Sequence, residues 1–225
     1  MSQSTHDFGA SAGGYDDWFR SPIGRVCDKL EKRSLARALR EVKPGALLLD
    51  AGCGTGHFSA FFIEQGFKVV GADISWNMIE MARSKRILGA TFAVAGITAL
   101  PFEDESFDVV AAVTVVEFLT EPRKALDEMV RCLRPGGTLI IAALNESSPL
   151  ARQRRWRDSP TFRNVRLFNA ERLRQFLGNL REVEVETSTF VPSIYELLWT
   201  HPLLEYLGRK FGWGWGNFLV GKARR

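Results

Sequence analysis

Leu47-Leu48-Leu49-Asp50-Ala51-Gly52-Cys53-Gly54-Thr55-Gly56-His57-Phe58-Ser59 is the stretch on which the fold turns. It begins inside a short apolar run, Ala46–Asp50, bounded by turn residues and without polar alternation, the pattern of a strand buried on both faces. Gly52, Gly54 and Gly56 follow at alternate positions. Lacking Cβ, such residues let a loop turn tightly and let a ligand come close to the backbone. His57–Gln65 then reads as an apolar helix closed by Gly66. A strand, a glycine loop and a helix in that order place a ligand beyond the strand's carboxyl end.

The same alternation continues downstream. Phe67–Ala72 predicts a second buried strand ending at Asp73, and Trp76–Leu88 a second helix. Thr91–Val94, Phe107–Val113 and Thr138–Leu144 read as three more strands, with a helix over Pro122–Leu133 that Arg134-Pro135-Gly136-Gly137 stops. Upstream, Ile23–Val42 follows helical spacing until Lys43-Pro44-Gly45. The last third departs from this rhythm. Asn169 caps a helix running to Leu177, Val183–Phe190 alternates as a strand with one wet face, and Asn217–Lys222 is a short apolar strand. Strands alternating with helices predict an α/β, doubly wound sheet of seven strands with helices on both faces.

Composition sets the outer bounds. A chain of 225 residues, 45% apolar and 25% charged, fits one domain spanning 1–225 with its own core. Cys27, Cys53 and Cys132 are scattered and odd in number, which excludes a disulfide framework and a CxxC metal cluster. The first twenty residues hold no basic segment followed by an apolar one, and Val109–Leu119 is too short and too interrupted to span a bilayer. The expected location is therefore the cytoplasm. Residues 1–22, rich in Gly, Ser and Asp, read as a flexible segment or lid carrying Tyr15, Trp18 and Phe19. Two further segments, 145–168 and 191–216, read as insertions on the substrate side. The first overlaps an arginine-rich run from Arg152 to Arg174, either a solvated face or an electrostatic collar for an anionic partner. The second is crowded with Trp, Tyr, Phe and Leu: a lid, a satellite core, a dimer interface or a surface that touches a membrane.

The ligand's chemistry follows from spacing. A dinucleotide site needs GxGxxG facing a pyrophosphate. Here the pattern is GxGxG, preceded by an acid that would repel pyrophosphate and suit an ammonium group. Asp73, twenty-three residues after Asp50, can accept both hydrogen bonds of a ribose diol. S-adenosylmethionine has the ammonium and the ribose and no phosphate.

Four blocks carry a resemblance: LLLDAGCGTGHFS (47–59), VVGADISWNMIEMAR (69–83), AGITALPFEDESFDVVAAVTVVEFL (95–119) and CLRPGGTLIIA (132–142). With these the chain resembles the class I S-adenosylmethionine-dependent methyltransferases, especially the small-molecule group that includes quinone-biosynthesis and malonyl-carrier enzymes. The resemblance implies a Rossmann-like, mostly parallel sheet with an antiparallel C-terminal strand. It also implies that Asp50, Ala51, Gly52, Cys53 and Gly54 line the methionine half of the cofactor and that Asp73 binds the ribose. Ile74 and Met78 would pack on the adenine, Gly96, Ile97, Thr98 and Leu100 would close its pocket, and Thr114 and Val115 would face the acceptor. Two departures stand out. Gly96-Ile97-Thr98 lacks the acid that usually meets the adenine amino group, and Val116-Glu117-Phe118 lacks a histidine common at that place.

Methyl transfer from a sulfonium asks the protein mainly for alignment and a dry cavity, with a base only where the nucleophile must lose a proton. The candidates for that role are His201 and Tyr15. The expected acceptor is a small molecule, partly apolar and anionic. Rival readings are an RNA methyltransferase, supported by the arginines, and a cofactor-binding but inactive partner subunit.

Overall fold

The computed structural model describes residues 12–156, 165–192 and 195–225. Arg157 and Arg163 of the basic run, and the first eleven residues of the expected lid, lie outside the described residues.

The period of two along the strands determines how the sheet is covered. Leu48 of β1 (Leu47–Ala51) joins Val109 and Ala111 of β4 (Phe107–Val113), and Ile140 and Ala142 of β5 (Leu133–Leu144), in one apolar cluster. Leu49, Val110, Ala112, Leu139 and Ile141, their sequence neighbours, join a second cluster. Successive strand side chains point to opposite faces, so unbroken apolar runs need cover on both. Leu35 and Leu39 of α3 (Pro22–Leu39) and Phe58, Phe61 and Phe62 of α4 (His57–Glu64) cover the first face. Leu126 and Met129 of α6 (Pro122–Cys132), with Leu173 and Phe176 of α8 (Ala170–Leu177), cover the second.

With β2 (Lys68–Asp73), β3 (Ala90–Val94), β6 (Arg181–Ser188) and β7 (Phe218–Arg224), the sheet has seven strands in the order β3-β2-β1-β4-β5-β7-β6. The first five run parallel, and β7 lies antiparallel between β5 and β6. β6 is therefore parallel to β5, and its last residue, Ser188, lies at the same sheet edge as Ala51, Asp73, Val113 and Leu144. Strand order reverses between β1 and β4, which opens the crevice above Ala51.

The structure corrects the sequence reading at several points. β5 begins at Leu133 instead of Thr138, because Gly136 and Gly137 exchange backbone hydrogen bonds with Arg225 after β7, and that pairing overrides the Pro-Gly-Gly turn signal. α5 (Trp76–Ser84) stops well short of Leu88. Residues 12–22, expected to be flexible, contain α1 (Ala12–Tyr15) and α2 (Asp17–Arg20). The insertions hold α7 (Pro149–Trp156) and α9 (His201–Lys210), the latter preceded by a 3₁₀ segment, Tyr195–Thr200. The two insertions meet at Asn145, whose side-chain amide donates to the carbonyls of Gly214 and Gly216.

Candidate active site

The loop after β1 takes its shape from three left-handed residues: Gly52, Gly54 and Gly56 have φ of 80°, 53° and 77°. A Cβ on Gly52 would lie 2.6 Å from Val115, so this glycine is required for the loop to pass under the end of β4. A Cβ on Gly54 would meet nothing within 4 Å, so the loop backbone there borders open space. The amides of Gly52 and Cys53 both donate to the Ala72 carbonyl, which fastens the loop to β2.

Asp73 holds the crevice from the other side. Its carboxylate accepts the Gly54 N–H at 3.0 Å and the Ser75 N–H at 2.9 Å. These bonds fix the plane of the carboxylate and leave further lone pairs for a ligand's hydroxyls. Burial raises its pKa, opposed by the two amide donors. Ala95 donates to the Asp73 carbonyl, which brings Gly96–Thr98 alongside.

Asp50 lies at the end of β1, directly before the loop. It is sealed beneath the loop, accepts a 2.6 Å hydrogen bond from Ser59 Oγ, and desolvation pushes it up to about 7. Cys53 is also buried, its thiol pushed up by desolvation. Met78, expected against an adenine, is only 1% exposed and belongs to the core under α5, as Ile97, Thr98 and Leu100 belong to the buried floor of the next segment. The apolar surfaces turned outward beside Asp73 are Ile74 and Trp76, 50% and 58% exposed. Trp76 went unnoticed in the sequence, although it follows the strand-end acid by three residues.

At the end of β4 the chain is bent: Thr114 has φ of 52°, rare for a residue with a branched Cβ. The bend presents the Thr114 hydroxyl to the Tyr15 phenol, with which it is hydrogen-bonded. Desolvation, with Asp73 and Glu117 nearby, pushes Tyr15 up to about 12, so it stays protonated around neutral pH. Glu117, in a 3₁₀ turn over Val116–Phe118, is fully buried and pushed up to about 7 by desolvation. One of its oxygens accepts the Leu144 N–H at 3.1 Å, and the other has no hydrogen-bond partner among the described residues. The Glu117 carbonyl accepts from the Arg166 amide at 3.0 Å, which seats Arg166 of the basic run beside this turn.

His201 is not part of this assembly among the described contacts. It opens α9, and its Nδ1 lies 2.9 Å from the Leu198 carbonyl, a local cap. The fastening of the N-terminal segment escaped the sequence reading. Asp16 accepts from Thr55 Oγ1 of the glycine loop at 2.7 Å and pairs with Lys85 at 2.6 Å, while Phe19 stacks on His57 with ring centroids 3.7 Å apart. The available signal was a pair of acids, Asp16-Asp17, between Tyr15 and Trp18.

A family model described as a methyltransferase domain matches residues 49–141, the stretch from β1 to β5 that carries this geometry. Residues 49–141 are similar to methyltransferase domains. Among curated relatives, the demethylmenaquinone methyltransferase of Clavibacter sepedonicus is 39% identical over 130 residues, 56% of this chain and 52% of that protein. The malonyl-[acyl-carrier protein] O-methyltransferase of Pectobacterium atrosepticum is 31% identical over 172 residues, 76% of this chain and 61% of that protein. The matched stretch spans about half the length of the curated relatives compared. A solved SAM-dependent methyltransferase from Thermotoga maritima superposes with a TM-score of 0.73 at 27% identity, covering 96% of this chain and 97% of that one. The stretch matched by the family model runs from β1 into β5, and the structural superposition extends over the segments around it.

Proposed function

We propose that this chain binds S-adenosylmethionine at the glycine loop and transfers its methyl group to a small, partly apolar acceptor with an anionic end. The observation that carries this reading is Asp73: a strand-end carboxylate held in plane by the Gly54 and Ser75 amides, beside a loop whose Gly54 borders open space. The residues fit the cofactor. Asp73 takes the ribose hydroxyls, Ile74 and Trp76 offer the outward apolar surface for the adenine, and the Gly52–Gly54 backbone borders the methionine end. When bound, the cofactor supplies an electrophilic methyl group and its own neutral leaving group.

The chain's own residues then have three tasks. Asp73 and the glycine loop hold the donor in register, which lowers the entropic part of the barrier. Tyr15 and Thr114 face the acceptor as neutral hydrogen-bonding groups. α1 and α2, fastened through Asp16 and Phe19, exclude water from the crevice. Arg166, fixed beside Glu117, receives the anionic end of the acceptor.

Calorimetric titration with S-adenosylmethionine tests the reading. Asp73→Ala weakens binding about 100-fold, the loss of charge-assisted hydrogen bonds worth roughly 3 kcal/mol. Unchanged affinity removes Asp73 from the ribose site. Methyl transfer from labelled cofactor to small-molecule extracts separates an enzyme from a binder.

A further inference from the structure

α9 and the 3₁₀ segment before it show how one helical stretch divides its faces. The inner face is used up by anchoring. A Cβ on Gly208 would lie 2.6 Å from the Phe190 ring, so α9 rests flat on that side chain. Glu205 accepts the Phe190 N–H at 2.9 Å, and Arg209 reaches Glu186 of β6 at 3.3 Å. The outer face carries Trp199 of the 3₁₀ segment and, after it, Leu203 and Tyr206 of α9, one turn apart. They are 76%, 59% and 60% exposed, and Phe211 extends the row at 63%. Lys210 sits among them, its Nζ 5.7 Å from the Tyr206 ring centroid and 5.6 Å from that of Phe211.

Positive charge lies next to this row. Leu150 of α7 packs in one cluster with Cys27, Leu30 and Val191, and Leu198 of the 3₁₀ segment packs against the same cluster. α7 and the 3₁₀ segment thus share this cluster, and Arg152 of α7, two residues from Leu150, is exposed on the side turned away from it. Against these cations, Glu196 is the exposed acid of the described residues between 195 and 212.

We propose that this face docks on an anionic lipid bilayer. Exposed Trp, Tyr and Phe seat at the level of the headgroups, where their apolar bodies leave water and their polar edges stay hydrated. Lys210 and Arg152 lie where the negative leaflet attracts them, a second signal that adds to the apolar one. The contact is peripheral, since no helix of the described residues is long and apolar enough to cross a membrane. The segment follows β6, whose end shares the sheet edge of Ala51, Asp73 and Val113, so docking turns that edge toward the lipid.

Sedimentation of the full chain with vesicles tests this, using phosphatidylcholine alone and phosphatidylcholine with phosphatidylglycerol in equal parts. The chain partitions onto the mixed vesicles, more weakly onto the neutral ones, and loses the difference in high salt. Trp199→Ala and Leu203→Ser each weaken partition about tenfold on both vesicles. Lys210→Gln and Arg152→Gln each weaken it about fivefold on the mixed vesicles and leave the neutral ones unchanged. Unaltered thermal unfolding of each variant shows that the loss is in the surface. Three outcomes overturn the proposal: no partition onto either vesicle, a dimer in light scattering that Trp199→Ala converts to monomer, or single-stranded RNA that displaces the chain from mixed vesicles through Arg152 alone.

Discussion

Glu117 occupies a costly position: a carboxyl group in the core, with one oxygen on the Leu144 amide and the other without a partner among the described residues. Its raised pKa has a direct consequence for stability. In the unfolded chain it ionises around its usual value of 4.5, whereas in the fold it holds its proton to about 7. The folded form therefore binds more protons between those values, and its stability falls as pH rises through that window. Glu117→Gln cannot ionise. Urea unfolding at pH 5 and pH 8 shows a smaller decline for the variant than for the wild type, by up to about 3 kcal/mol. An equal decline in both proteins means that Glu117 is not the titrating group. Asp50, also pushed up to about 7, adds a decline of the same sign that the variant retains. At this scale the burial of acids and the positive φ of Thr114 mark where the chain carries local cost, and both lie around the crevice.

Among the elements, α1 and α2 are the least self-sufficient. Each has four residues, too few to be helical in isolation. Their stability comes from Asp16, which ties them to Thr55 and Lys85, and from Phe19 on His57. Asp16→Ala removes the first tie while leaving the sheet intact. Hydrogen exchange at the Phe19 and Ser21 amides, both bonded within this segment, then rises about tenfold with little change in global unfolding. Because Thr55 belongs to the glycine loop, S-adenosylmethionine affinity falls in the same variant. If exchange rises and affinity does not change, the segment is fastened to the loop without covering the ligand.

Over the whole molecule, the sheet is closed by its last strand. β7 lies between β5 and β6, and Phe218, fully buried, pairs with Leu144 on one side and Ser188 on the other. Phe218→Ala opens a cavity in the cluster shared with α3 and α4, destabilising the fold by about 3–5 kcal/mol in urea unfolding. A small loss would mean that the C-terminal part of the sheet is peripheral to the core. The exposed row on α9 belongs to this scale as well, because its meaning depends on α7, contributed by a segment some fifty residues earlier.

Much of the stretch from β1 to β5 is legible along the chain because its signals are local. Leu48 and Leu49 face opposite clusters, so the unbroken run at β1 already states that both faces of the strand are covered. Gly52, Gly54 and Asp73 are separated by loop and strand lengths that the backbone imposes, so their meeting at one strand end follows from order alone. Other features depend on partners distant in sequence. The Pro-Gly-Gly at 135–137 becomes strand through Arg225, Asp50 accepts from Ser59, and Met78 enters the core while Trp76 faces out. Side-chain periodicity fixes which elements form and which faces are apolar. Which polar group meets which, and which apolar face is left without a neighbour, is settled only when distant segments pack together and compete for the same partners.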